Sequence, residues 1–589
     1  MTRQAWWSER SLSRVRRIVG ILAVSLLAAA PALALAEEVP FIQYQDRFHP
    51  TWGEGGMVVS QEAIASRVGA DILAQGGNAV DAAVATGFAL AVTLPQAGNI
   101  GGGGFMLVHL ADGDRTIAID YREMAPAAAH RDLFLDDRGD ADPEKSRYSA
   151  LASGVPGTVA GLVHAQQQYG TLPLARVLAP AIELAEKGFV RDYPLVYSLQ
   201  QARQRLASHP AARGYFLDAD GAAPAAGTRW VQRDLARTLK RIARRGADGF
   251  YRGRTADLIV AEMARTGGLI SHADLANYRV VEREPVKGSY RGFEIVSMPP
   301  PSSGGIHLVQ MLNILEGWDL AGEGHNSAAY LHRLIEAMRR AYADRSKYLG
   351  DPDFATVPMA ALVDKDYAAR LRKGIDLARA TPSSAVGPAL RLAPESPQTT
   401  HYSVWDQAGN VVSNTYTLNF SYGNGIAVSG AGFLLNNEMD DFSAKPGVPN
   451  AFGLLGDEAN AIEPGKRPLS SMTPTLVFKD GEPVMATGGP GGSRIITSVL
   501  QVILNHVEFG MNVAEATAAP RIHHQWYPDS VDAEKGISPD TLVLLRAMGH
   551  DIKLAPWAIG RTQSITREGG RFQGTTDYRW PGGSAEAAR

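Results

Sequence analysis

The segment Gln398-Thr399-Thr400-His401-Tyr402-Ser403-Val404-Trp405, followed by Val411-Val412-Ser413-Asn414-Thr415-Tyr416-Thr417, sets the architecture of this 589-residue chain. Both runs are rich in β-branched and aromatic residues, and Asp406-Gln407-Ala408-Gly409-Asn410 between them has turn composition, so they read as a β-hairpin. If Trp405 pairs with Val411, Thr399 falls opposite Thr417, with Cβ atoms roughly 4.5 to 5.5 Å apart and hydroxyls within reach. On the hairpin alone, two opposed threonines are also ordinary strand decoration. The position before Thr399 adds a chemical reading. If the Thr399 hydroxyl attacked the Gln398 carbonyl and water hydrolysed the ester, Thr399 would gain a free α-amine. Such an amine, with a reference pKa of about 7.7 to 8.0, can serve as the hydroxyl's own base.

Composition bounds the rest. A hydrophobic content of 45% over this length supports a large core and two to four domains. With 58 Lys and Arg against 61 Asp and Glu, no basic excess invites nucleic acid. The absence of cysteine excludes disulfides, thiolate catalysis and cysteine-ligated metal. At the N-terminus, Arg10, Arg14, Arg16 and Arg17 precede the apolar run Ile18 to Ala30, and Ala34-Leu35-Ala36 supplies an A-x-A site. Residues 1–36 are thus expected to be a secretory signal peptide, leaving a periplasmic or secreted protein without a membrane span.

Along the body, Gln61 to Gln75 and Ala79 to Leu94 are expected helices, the second capped by Asn78 with Asp81. Phe105 to Leu110 and Thr116 to Tyr121 are expected strands. The glycines from Asn99 to Gly104 lack the Lys-Ser/Thr and following helix of a phosphate loop, so close backbone packing is expected of them. Helical periodicity dominates from Gly157 to about Gly350, including Ile306 to Leu315 and Ser327 to Tyr348, and residues 380–398 have linker composition. Strands are expected to alternate with turns through Gly423 to Asn437. Met472 to Lys479 and Glu482 to Thr487 read as a second hairpin, and Gly488 to Arg494 opens a helix running to about His506. Glycines at a helix start leave N–H groups free to hold an oxyanion, although such turns are also routine. The implied architecture is α+β, layered helix-strand-strand-helix.

Beyond the hairpin, the chain carries Gly76-Gly77-Asn78-Ala79-Val80-Asp81-Ala82-Ala83, Gly101-Gly102-Gly103-Gly104-Phe105, Asp120-Tyr121-Arg122-Glu123, Asn436 to Phe442, Pro468-Leu469-Ser470-Ser471-Met472 and Pro490-Gly491-Gly492-Ser493-Arg494. With these motifs it resembles the γ-glutamyltransferases, N-terminal-nucleophile hydrolases with a four-layer αββα sandwich. The resemblance covers nearly all of the chain after the signal. It implies self-cleavage of the Gln398–Thr399 bond into a large subunit, 37–398, and a small one, 399–589, which together form a heterodimer. It implies Thr399 as nucleophile, Thr417 as its hydrogen-bond partner, and Gly491 and Gly492 as the oxyanion hole. It also implies Arg122, with Ser470 and Ser471, on the substrate α-carboxylate, and Asn419, Glu438 and Asp441 on the α-ammonium. The donors implied are glutathione and other γ-glutamyl compounds, with water, amino acids or short peptides as acceptors and neither cofactor nor metal. The fork and the carboxylates are expected on opposite sides of the substrate.

The lid loop, Pro446 to Gly456, departs from the pattern of bacterial members. It has Phe452 where a tyrosine often bonds the active-site asparagine, and the expectation is a looser gate with more hydrolysis. Glu438 stands where some relatives have glutamine. His523-His524 are adjacent, face different ways on a strand, and are expected to be structural. A cephalosporin or glutaryl acylase on the same scaffold, and a binding protein that never matures, are the alternatives.

Overall fold

The computed structural model describes residues 46–387, 399–445 and 447–589, and residues 48–589 form one unit. The expected signal peptide, most of the expected linker, Gln398 and Pro446 lie outside the described residues. Two seven-stranded sheets organise the unit. In chain order their strands are β1 (Thr51–Gly53), β2 (Gly56–Ser60), β3 (Gly103–Leu110), β4 (Arg115–Tyr121), β5 (Val281–Arg283), β6 (Val286–Tyr290) and β7 (Phe293–Ser297). From the second part of the chain come β8 (Thr400–Asp406), β9 (Val411–Thr417), β10 (Thr475–Lys479), β11 (Glu482–Thr487), β12 (Gln563–Glu568), β13 (Arg571–Thr576) and β14 (Ser584–Ala587). One sheet runs β14-β2-β8-β9-β3-β4-β5 and the other β1-β13-β12-β11-β10-β7-β6.

Period-two alternation distributes these strands between two cores. In the first sheet Val58, Met106, Val108, Ile117, Tyr402, Val404 and Val412 face helices α1 (Ala63–Ala74), α2 (Ala79–Thr93) and α3 (Thr158–Tyr169). Their sequence neighbours Met57, Val59, Phe105, Leu107, Trp405 and Val411 turn the other way and pack with Ile295, Leu476, Met485, Ile565 and Phe572 of the second sheet. Beyond that sheet lie α4 (Gly304–Leu315), α5 (Ala328–Tyr348) and α6 (Arg494–Val507), which contribute to the same core. The result is the four-layer αββα sandwich, α+β in class. The central strands β8 and β9 are buried along their whole length.

Local signals act as the sequence suggests. Asn78 accepts from the backbone of Val80 and Asp81 while Asp81 accepts from the N–H of Asn78, a complete capping box. Asp406 closes the β8–β9 turn by accepting from Asn410 at 2.9 Å, and its other oxygen accepts from the N–H of Ala79 at 2.9 Å, tying the hairpin to the start of α2. Asp480 and Gly481 take φ values of 53° and 85°, the left-handed pair that a tight hairpin between β10 and β11 requires.

One expectation is refined and one corrected. Helix dominates from Gly157 to Gly350, as expected, but β5, β6 and β7 interrupt it, β5 and β6 as the edge strands of the two sheets. Three to five residues are too few for period-two alternation to stand out between long helices. Residues 423–437 form no ladder; they turn repeatedly through left-handed glycines and make one isolated bridge, Ala427 to Leu434.

Candidate active site

The hairpin register is the one anticipated, from Trp405 opposite Val411 to Thr400 opposite Tyr416. Thr399 precedes β8 and its Oγ1 lies 3.4 Å from Oγ1 of Thr417. Thr417 is fixed from several sides: its Oγ1 accepts from the N–H of Asn419 at 2.8 Å, and its carbonyl accepts from Asn99 Nδ2 at 2.9 Å. The glycine run packs against the same place. A Cβ on Gly102 would stand 1.9 Å from the Thr417 carbonyl oxygen, so this stretch is a close backbone contact, as expected, and not a phosphate cradle.

Thr399 and Thr417 line a cavity with Arg122, Asn419, Glu438, Asp441, Ser470, Ser471 and Gly492. Of the ten residues singled out in the sequence, nine line it; Gly491 does not, and enters only as the neighbour of Gly492. Gly491 and Gly492 hold φ values of 146° and 57° just before α6, and among the described residues neither N–H meets a backbone acceptor. A Cβ on Gly492 would come 2.6 Å from the ring of Phe452, so only glycine fits beneath that ring.

Arg122 follows β4 and is 1% exposed. It donates to Glu438 through Nη1, to Asp441 Oδ2 at 2.5 Å through Nη2, and to the carbonyl of Pro468 at 3.2 Å through Nε. The fork and the two carboxylates therefore touch, rather than standing on opposite sides as expected. The reason is topological: β4 ends beside the 438–441 turn, and a buried guanidinium needs carboxylates at hydrogen-bond distance. Burial opposes the charge on Arg122, but Glu438, Asp441 and Glu123 outweigh it and raise its pKa. Burial raises the Glu438 and Asp441 carboxyls against the pull of Arg122, and pushes Glu123, whose carboxylate is 3.9 Å from Arg122, up to about 7.

The lid residues 447–456 close the cavity. Phe452 is buried, meets Phe420 edge-on at 5.8 Å, and its carbonyl accepts from Gln525 at 3.1 Å. The remaining space is about 20 Å³, room for a water but not for an acyl donor. Asn419 donates to the carbonyl of Asn437 at 3.0 Å.

Two charged residues of the site escaped sequence reasoning. Arg345 of α5 lines the cavity, and Glu123 is wholly buried, with neither carboxylate oxygen hydrogen-bonded among the described residues. Arg345 sits on the buried face of a helix that also buries Arg339 and Arg340, so no sequence signal singled it out. His401 shares the strand face of Thr399, yet burial holds it neutral, at about 3, between Thr415 and Ser403, which makes it a poor base near neutrality. His523 bonds Thr497 and Gln525, and His524 bonds the carbonyl of Ser530, each at 2.8 to 2.9 Å, a structural use of both. Among the described residues, His332, Glu336 and His550 bring three potential donor atoms within 4.8 Å of one another. Glu336 is already paired with Arg340 at 2.5 Å and Arg339 at 3.4 Å, and His332 bonds His550 at 2.8 Å, so the cluster is better suited to its ion pairs than to a cation.

The sequence matches the family described as Gamma-glutamyltranspeptidase over residues 65–587, and the chain belongs to that family. It is 53% identical over 571 residues to the glutathione hydrolase proenzyme of Escherichia coli (strain K12), covering 96% of this chain and 97% of that protein. It is 40% identical to the acylase ACY 1 proenzyme of Pseudomonas sp. (strain SE83), covering 88% of this chain and 90% of that protein. Among solved structures, the cephalosporin acylase from Bacillus halodurans superposes with a TM-score of 0.81 at 30% identity, covering 93% of this chain and 98% of that one.

Proposed function

We propose that the protein is a γ-glutamyltransferase and glutathione hydrolase that activates itself by cleaving the Gln398–Thr399 bond. The observation that carries this reading is the pairing of Thr399 with Thr417 at 3.4 Å beside a buried cluster of Arg122, Glu438 and Asp441. In maturation, Thr399 Oγ1 attacks the Gln398 carbonyl carbon, the peptide C–N bond breaks, and an ester forms as the α-amine is released. Water then hydrolyses the ester, leaving a large fragment ending at residue 398 and a small one starting at Thr399.

In turnover the freed amine takes the Thr399 hydroxyl proton as Oγ1 attacks the donor's γ-carbonyl. The N–H groups of Gly491 and Gly492 receive the developing oxyanion. The amine returns the proton to the leaving group, cysteinylglycine when glutathione is the donor. Water, an amino acid or a short peptide then takes the γ-glutamyl group from the ester. The donor's zwitterion is complementary to the Arg122–Glu438–Asp441 cluster: its carboxylate replaces an Arg–carboxylate contact and its ammonium meets the acid so released. Exact partners in that exchange are the roles the resemblance gives to Arg122, Ser470 and Ser471 on one side and Asn419, Glu438 and Asp441 on the other. The N-terminal segment suits export to the periplasm or beyond, and among the described residues no helix is long and apolar enough to cross a membrane.

The likeness to acylases favours a second reading, in which the acyl donor lacks an α-amine. Glu438, which is buried, and Asp441, which is nearly so, line the same cavity as the nucleophile and argue against it, since a donor without an ammonium leaves them uncompensated. Incubation with a chromogenic γ-glutamyl anilide and its glutaryl counterpart, with and without glycylglycine and beside Thr399→Ala, tests both. Release from the γ-glutamyl anilide alone supports the transferase; preference for the glutaryl compound supports the acylase; no release from either, in wild-type protein, rejects both.

A further inference from the structure

Arg345 is the charged residue of the cavity for which the proposed chemistry has no use. It comes from α5, is 4% exposed, and donates through Nε to Ser303 Oγ at 2.9 Å and through Nη2 to Ser471 Oγ at 3.2 Å. Ser303 in turn donates through both its hydroxyl and its backbone N–H to the carbonyl of Ser470, each at 2.8 Å. One guanidinium thus braces two chain segments, 301–303 and 470–472, that run side by side into the cavity.

Two features set Arg345 apart from Arg122. Arg122 is taken up by Glu438 and Asp441, whereas among the described residues Arg345 meets no carboxylate within ion-pair distance. Burial accordingly pushes its pKa down, to about 10, with Arg122 adding to the push and only longer-range pulls from Tyr342 and Asp441 opposing. The second feature is the hydroxyl it holds. Ser471 Oγ accepts from Arg345, so its own O–H is left to donate, and among the described residues no hydrogen bond donated by it is seen. A buried cation short of an anion and a hydroxyl short of an acceptor, on one wall of a cavity, are jointly satisfied by a carboxylate.

We propose that Arg345 is a positioning and specificity-determining residue of the donor site, aiming the Ser471 hydroxyl and supplying the positive charge that selects acyl donors bearing an α-carboxylate. The inference rests on the γ-glutamyl reading of the site. It divides the labour there: Arg122 is exchanged between protein and substrate carboxylates, while Arg345 stays cationic and unexchanged behind Ser471.

The test is calorimetric binding of L-glutamate and of 4-aminobutyrate, which keeps the amine and loses the α-carboxylate, to wild-type protein, Arg345→Met, Arg345→Lys and Ser471→Ala. The expected result is at least a tenfold loss of L-glutamate affinity in Arg345→Met, partial recovery in Arg345→Lys, and less than a twofold change for 4-aminobutyrate. In γ-glutamyl anilide kinetics the loss falls on KM, with kcat within about threefold. Ser471→Ala removes a single hydroxyl and must show the same selectivity for the carboxylate, which keeps the test decisive if Arg345→Met does not fold. Equal losses for both ligands, unchanged L-glutamate binding, or no L-glutamate binding by wild-type protein overturns the inference. Anilide hydrolysis reports separately on Thr399: binding that depends on Arg345 without hydrolysis would leave this inference standing and reject the transferase.

Discussion

Replacing Thr417 by valine keeps the branched shape that suits a buried strand and removes one oxygen. That oxygen accepts from the N–H of Asn419 at 2.8 Å and lies 3.4 Å from the hydroxyl of Thr399. Losing the first bond leaves a buried N–H unpartnered, at a cost of roughly 1 to 3 kcal/mol. Losing the second removes a long, weak bond of about 0.5 kcal/mol, together with whatever alignment it gives the nucleophile. Asn419 sits at φ 71°, a strained backbone held partly by that first bond, and it lines the cavity. The expected outcome for Thr417→Val is a melting temperature lowered by several degrees, slower appearance of the two fragments on a denaturing gel, and kcat/KM reduced about 10- to 100-fold. Thr417→Ser keeps the oxygen and loses only a methyl, and should stay within about threefold in activity. Wild-type processing and turnover in Thr417→Val, or equal damage in the valine and serine variants, would refute the role given to the hydroxyl.

Phe452→Tyr should raise the ratio of transfer to hydrolysis by about 2- to 10-fold, the worth of one net hydrogen bond on a lid that already packs over Gly492; an unchanged ratio with glycylglycine as acceptor sinks the looser-gate idea. Glu123 gives a pH signature. Its folded-state carboxyl, raised by burial to about 7, holds a proton that the unfolded chain releases near 4.5, so its stabilising share is complete below pH 4.5 and lost as pH rises to about 7. Relative to Glu123→Gln, which has nothing to titrate, wild-type protein should therefore lose stability between pH 5 and 7.5 by an amount on the order of 2 kcal/mol. Parallel melting curves for the two proteins across that range would contradict this.

Much of the site's framework is legible in the sequence because its signals are local. The β8–β9 register follows from turn composition and strand alternation, and it alone places Thr399 opposite Thr417. The capping box at Asn78 and the glycine start of α6 are likewise written in a few consecutive residues. What was not legible depends on long-range placement. Arg345 lies in a helical run 54 positions before Thr399, and nothing in that run says which of its polar residues reaches the cavity. The contact of Arg122 with Glu438 and Asp441 spans more than 300 residues, and a sequence that identifies both partners does not say whether they touch. The edge strands β5 and β6 were missed for a different reason, being too short for their periodicity to compete with the helices around them.

The central claim is that Thr399 carries both the nucleophile and, once freed, its base. Intact-mass measurement with N-terminal sequencing of protein that hydrolyses a γ-glutamyl anilide tests it most directly. The account predicts a fragment beginning at Thr399 in the active material and a single uncleaved, inactive chain for Thr399→Ala. Full activity in protein whose residues 398 and 399 remain joined would contradict it.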